Sequence, residues 1–290
     1  MALALLQTGE VQAENALLPQ PPPRAGSANT GESPGTLFRK GMGLRASGDL
    51  RGAIEAFQRT TALQPNHIDA HFQLGLALEE ANDFDGALSE YEKVIQFKPE
   101  HADSHFRAGL IYSQRNEHSA AIRAFSAVLR LNPDHQAARF NIGLAFRKTG
   151  DHDWAKRHFE LVLKQDPLHA GAQTSLGNIA FERGDLPQAI DHYRAVLTSD
   201  PSYTRARRNL AVALRQQGNT PGALAEYREA LRHQDADPIL LMEYAETLQA
   251  DKQEADAAVA YKRALTLLPH TTDRGELRSR IENQLKQLAQ

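Results

Sequence analysis

Residues 68–101 read IDAHFQLGLALEEANDFDGALSEYEKVIQFKPEH, and the pattern returns when the sequence is shifted by 34 residues in either direction. Leu74 and Gly75 come back as Ala108 and Gly109, while Ala87, Tyr91 and Pro99 come back as Ala121, Phe125 and Pro133. A fixed period of this length marks a stacked-repeat architecture and overrides a domain count taken from length. It runs without a slip from Pro34 to Pro269. Alanine stands at Ala53, Ala87, Ala121, Ala155, Ala189, Ala223 and Ala257, with an aromatic four residues later at Phe57, Tyr91, Phe125, Phe159, Tyr193, Tyr227 and Tyr261. Glycine holds Gly41, Gly75, Gly109, Gly143 and Gly177, then gives way to Ala211 and Ala245. Proline closes each unit except the sixth, which has Asp235.

Within a unit the apolar residues recur at helical spacing, as Leu74, Ala77, Leu78 and Ala81, then Leu88, Tyr91, Val94 and Ile95. Gly48-Asp49, Asn82-Asp83, Gly150-Asp151, Gly184-Asp185 and Gly218-Asn219 mark turns between two antiparallel helices, A and B. Gly75 and its equivalents let helix B approach closely, Ala87 and its equivalents fill the other side, and the closing proline stops helix B. A single hairpin cannot bury its apolar face, but a stack of them can. The expected fold is all-α.

On these residues the chain resembles the tetratricopeptide repeat family over about four fifths of its length. The resemblance implies a right-handed α-solenoid of seven helix-turn-helix units beginning at 34, 68, 102, 136, 170, 204 and 238, spanning residues 34–269. After them, residues 270–290 read as a capping helix. Leu277, Ile281, Leu285 and Leu288 form its apolar stripe, with Asp273 and Glu276 in capping-box spacing. Residues 1–33 lie outside the repeat, as an Ala/Leu-rich start and a Pro-rich linker. They are expected to contribute little to folding.

A net charge of −3 gives no reason to expect a nucleic-acid partner, and the absence of cysteine excludes thiol chemistry and disulfides. No apolar run approaches the roughly 18 residues of a membrane helix. The expected compartment is cytoplasmic, with a periplasmic or secreted location as the alternative if residues 1–13 are a truncated signal.

In the resembled family, helix A lines a concave groove through its second, fifth, ninth and twelfth positions. Here that implies apolar anchors at Phe38, Phe72, Leu76, Phe106, Leu110, Phe140 and Leu144, followed by polar and basic groups at Asn178, Arg205, Arg208 and Arg215, with Asn141 and Asn209 added at the sixth position. Such a groove suits a protein or peptide segment with apolar anchors and an acidic end. The complete carboxylate-clamp set of some members is missing, and so is the continuous asparagine ladder of the glycosyltransferase members.

Histidine ends four units, at His67, His101, His135 and His169, and two of these precede another histidine by four residues, at His71 and His105. That spacing can hold a metal, but polar residues at inter-unit turns explain it more simply. Gly41-Met42-Gly43-Leu44-Arg45-Ala46 lies inside helix A with no preceding strand, so it is not a dinucleotide loop. No nucleophile constellation, phosphate loop or metalloprotease motif is present. The expectation is a non-catalytic interaction scaffold without metal or cofactor. The alternatives are a self-associating structural scaffold that binds further copies of itself, or a targeting or regulatory module of a separate enzyme such as a glycosyltransferase.

Overall fold

The computed structural model describes residues 32–233, 237–268 and 275–288. Among these lie fifteen α-helices and no strand. Seven hairpins come first: α1 (Pro34–Ala46) with α2 (Leu50–Leu63), α3 (Ile68–Glu80) with α4 (Phe84–Phe97), and α5 (Ala102–Gln114) with α6 (His118–Leu131). They continue as α7 (Gln136–Thr149) with α8 (His152–Gln165), α9 (Ala170–Glu182) with α10 (Leu186–Ser199), α11 (Thr204–Gln216) with α12 (Thr220–His233), and α13 (Pro238–Ala250) with α14 (Glu254–Leu267). A last helix, α15 (Gly275–Leu288), follows. Residues 1–31, Asp235, Pro269 and the proposed cap Asp273 lie outside the described residues.

Each hairpin packs on the next, helix B of one unit against helix A of its successor. Consecutive A helices also touch, α1 with α3, α7 with α9 and α9 with α11, whereas no two B helices meet to that extent. A stack with its A helices closer together than its B helices curves toward the A side, so the concave surface belongs to helix A.

The repeating glycine and aromatic form one contact. A Cβ on Gly75 would lie 2.6 Å from the Tyr91 ring, and Gly41, Gly109, Gly143 and Gly177 meet Phe57, Phe125, Phe159 and Tyr193 in the same way. The seven aromatics are essentially inaccessible to solvent. Three of the four tyrosine hydroxyls find a groove-side partner on helix A: Tyr91 donates to Glu79 (2.8 Å), Tyr193 to Asn178 (2.8 Å) and Tyr261 to Gln249 (3.2 Å).

The turns between A and B take a left-handed residue at every period. Besides the expected Gly48, Asn82, Gly150, Gly184 and Gly218, the structure places Asn116 (φ 59°) and Lys252 (φ 61°) there. Asparagine tolerates that conformation; lysine carries the Cβ penalty. At the far end, Ile281 of α15 is fully buried in one cluster with Tyr261, Ala264 and Leu268, and Leu277, Leu285 and Leu288 pack around it.

Candidate groove on the concave surface

The four fifth-position phenylalanines are each half-buried between two rings. Phe38 packs on Phe57 of its own unit (5.8 Å between ring centroids) and on His67 (5.0 Å). The set repeats as Phe72 with Tyr91 and His101, Phe106 with Phe125 and His135, and Phe140 with Phe159 and His169, all between 4.8 and 5.9 Å. Leu76, Leu110 and Leu144 sit beside them, also half-buried. The result is a row of rings one unit apart, anchored from beneath and open from above.

The histidines do more than fill turns. Nδ1 of His67 accepts the backbone N–H of Ala70 (3.2 Å), and His101, His135 and His169 cap their helices identically through Ser104, Ala138 and Ala172. Each satisfies one of the four amides that a helix N-terminus leaves without a partner. A capping imidazole is not in the usual cap set of Ser, Thr, Asp and Asn; the signal available in sequence was the phase of the histidine, one residue before each helix A. His71 has both ring nitrogens engaged, Nδ1 with Glu90 (2.5 Å) and Nε2 with the Pro65 carbonyl (2.8 Å). Among the described residues no group of three or more potential metal ligands converges.

His71 belongs to a second periodic set that the sequence reading missed. The fourth residue of helix A reaches back to the closing proline of the preceding unit: His71 to Pro65, His105 to Pro99, Arg139 to Pro133 and Arg207 to Pro201. In three units it also pairs with helix B, as His71–Glu90, Gln173–His192 and Arg207–Glu226. Polar residues at one phase of an otherwise apolar face were the trace of it.

Past the fourth unit the rings stop. Thr174 replaces phenylalanine and is buried. Asn178 accepts hydrogen bonds from Tyr193 and from the Asn209 side-chain amide (2.8 Å each), tying the fifth unit to the sixth. Asn141 is separate from this pair; its amide donates to the Ala137 carbonyl of its own helix.

The basic cluster is largely spoken for. Arg208 grips Glu243 of the next unit with two bonds, 2.7 and 2.6 Å, which hold its guanidinium charged more firmly than usual despite burial. Arg215 meets Glu246 at 3.4 Å, and Arg280 of α15 meets the same carboxylate. Arg207 turns between helices to Glu226. Arg205 is exposed and has no ion pair among the described residues. It shares a hollow with Arg208, Tyr203, Asp237 and Leu240.

The sequence pattern described as Tetratricopeptide repeat matches residues 38–102, 106–155, 146–204, 174–238 and 208–270. The chain belongs to the tetratricopeptide repeat family. Among solved structures, a tetratricopeptide repeat protein from Parabacteroides merdae superposes with a TM-score of 0.69 at 17% identity, covering 89% of this chain and 99% of that one. YrrB, described as a TPR protein with an unusual peptide-binding site, gives 0.53 at 22% identity over 69% of this chain and 100% of its own. The Cut9–Hcn1 hetero-tetramer of APC/C gives 0.62 at 17% identity over 89% of this chain and 49% of its own. At these identities the likeness is one of fold. No curated protein sequence matches the chain. No helix among the described residues is long and apolar enough to cross a membrane.

Proposed function

We propose that the protein is a non-catalytic interaction module that holds a segment of a partner protein along its concave groove. The anchors are Phe38, Phe72, Leu76, Phe106, Leu110, Phe140 and Leu144, and an acidic end of the partner meets Arg205, beside Arg208 and Arg215, which Glu243 and Glu246 hold in place. Asn141, Asn178 and Asn209 lie between and offer amide groups to a peptide backbone. One observation carries the reading: a row of half-exposed rings, each fixed by two neighbours, that nothing among the described residues covers. Rings held in place lose little side-chain entropy when a ligand lands on them, so burial of their free faces goes into affinity. Proteins and peptides are what tetratricopeptide domains bind, and YrrB is described by such a site.

The test is crosslinking capture with the full chain, run beside a Phe72→Ala, Phe106→Ala variant whose folding is checked by its melting. A partner captured by the wild type and lost by the folded variant supports the groove. Equal capture by both would move binding elsewhere on the molecule.

A further inference from the structure

Resting on the groove reading, we propose that the groove is charge-polar: it selects an extended segment with a basic side chain over units 2 and 3 and an acidic one about nine residues away, over unit 6. The argument turns on the second residue of each helix A. A Cβ on Gly171 would lie 3.0 Å from the Phe140 ring, so this position stands beside the phenylalanine of the preceding unit. The same column carries Asp69 and Asp103, then Ala137 and Gly171, then Arg205. Both aspartates are exposed, and neither has an ion pair among the described residues. Both carboxylates act electrostatically on His101, which packs on Phe72 at 4.8 Å. This Phe–His ring pair therefore has both carboxylates within electrostatic reach.

Lys98, just after α4, acts on the same imidazole with the opposite sign. Of the guanidiniums on α1 and α5 nearby, Arg45 is bound to Glu80 and Arg107 to Glu79. A ring face within reach of unpaired carboxylates is suited to a lysine or arginine, which gains from the ring quadrupole and the ion pairs together.

At the other end, two carboxylates line the Arg205 hollow and keep their charge while accepting backbone amides, Asp237 also acting on Arg208. Asp200 accepts from Ser202 and Asp237 from Ile239, while Arg205 remains exposed. Between the ends, alanine and glycine leave the column uncharged over the Phe106 and Phe140 rings. Stacked helices are about 10 Å apart, so unit 3 to unit 6 spans about 30 Å. An extended chain at about 3.3 Å per residue covers that with about nine residues.

Selecting random peptides of about 14 residues on the full chain, by display, reads this preference without knowledge of the natural partner. The expected winners carry Lys or Arg about nine residues from Asp or Glu, with apolar residues between. Asp69→Asn with Asp103→Asn should erase the basic preference alone, and Arg205→Glu should erase the acidic one alone. Each should weaken a wild-type winner by about tenfold, with melting unchanged. Winners that are apolar, lose binding on Phe72→Ala with Phe106→Ala, and show no charge preference would overturn the charge polarity while leaving the groove standing. No winner sensitive to the phenylalanine variants would overturn both.

Discussion

Lys252 adopts the left-handed conformation that glycine or asparagine takes at the equivalent turns. The Cβ penalty there is about 1–2 kcal/mol. Lys252→Gly is therefore expected to stabilise the seventh hairpin by about 1 kcal/mol, visible as a rise in melting temperature of a few degrees; an unchanged or lower value would mean the lysine is held by other contacts. A second residue-scale prediction concerns the buried His71–Glu90 pair. Burial pulls the His71 pKa down, but its hydrogen bonds to Glu90 and the Pro65 carbonyl outweigh that and leave it raised. Burial pushes Glu90 up, and the bonds from His71 and Lys93 outweigh that and leave it lowered. The histidine's contribution is fully present below its unfolded value of 6.5 and is lost as pH rises through the higher folded value. The glutamate's is present above 4.5 and is lost as pH falls through its lower folded value. Stabilisation by the pair therefore peaks between those two values. Replacing His71 by glutamine should cost most near pH 5.5, about 1–3 kcal/mol, and less near pH 9. A cost independent of pH would show a neutral imidazole. The identity of Tyr91 over phenylalanine was legible only once its partner was known. Helix A supplies an acceptor at Glu79 for Tyr91, whereas Arg45 and Arg147, at the equivalent place above Phe57 and Phe159, could not accept.

At the scale of elements, repetition made the helices readable and concealed the caps. Seven units in phase averaged away local ambiguity, so helix limits followed from the glycine turns and the closing prolines. The histidine caps were hidden because a cap is a matter of backbone geometry at one residue, and imidazole is an uncommon choice for it. Their contribution is open to measurement. His101→Ala should cost about 1 kcal/mol plus the packing on Phe72, and His101→Asn should recover the cap portion; equal losses would put the whole effect in ring packing. The last helix behaves by the same logic as a solenoid end. Ile281 is the one fully buried residue of α15, and it covers Tyr261, Ala264 and Leu268. An aspartate there would bury a carboxylate against that apolar surface. Ile281→Asp is therefore expected to release α15, expose an apolar flank and promote association. Light scattering that stays monomeric, with melting unchanged, would show that the helix shields nothing.

Across the whole molecule, the charges of the groove serve two tasks that sequence alone could not separate. Arg205 and Arg208 are three residues apart on α11 and look equivalent in sequence. Their difference comes from Glu243, 35 residues after Arg208, which only stacking of the sixth unit on the seventh brings into reach. In a solenoid each unit is stabilised by its neighbours, so a bond across one interface sets how firmly the units beyond it are coupled. Arg205→Glu changes an exposed side chain and should alter stability by no more than about 0.5 kcal/mol. Arg208→Glu removes a two-bond grip and sets two carboxylates against each other at a half-buried interface, at a cost of about 1–3 kcal/mol. That cost should appear locally. Hydrogen exchange in the Arg208→Glu protein is expected to show α13 and α14 losing protection well before α3 to α8, whereas Arg205→Glu leaves the profile as in the wild type. Adding Glu243→Arg to Arg208→Glu restores opposite charges across the interface and should recover part of the protection. Uniform loss along the whole stack, or no recovery, would mean that the pair does not couple the last two units and that both arginines are free to serve a ligand.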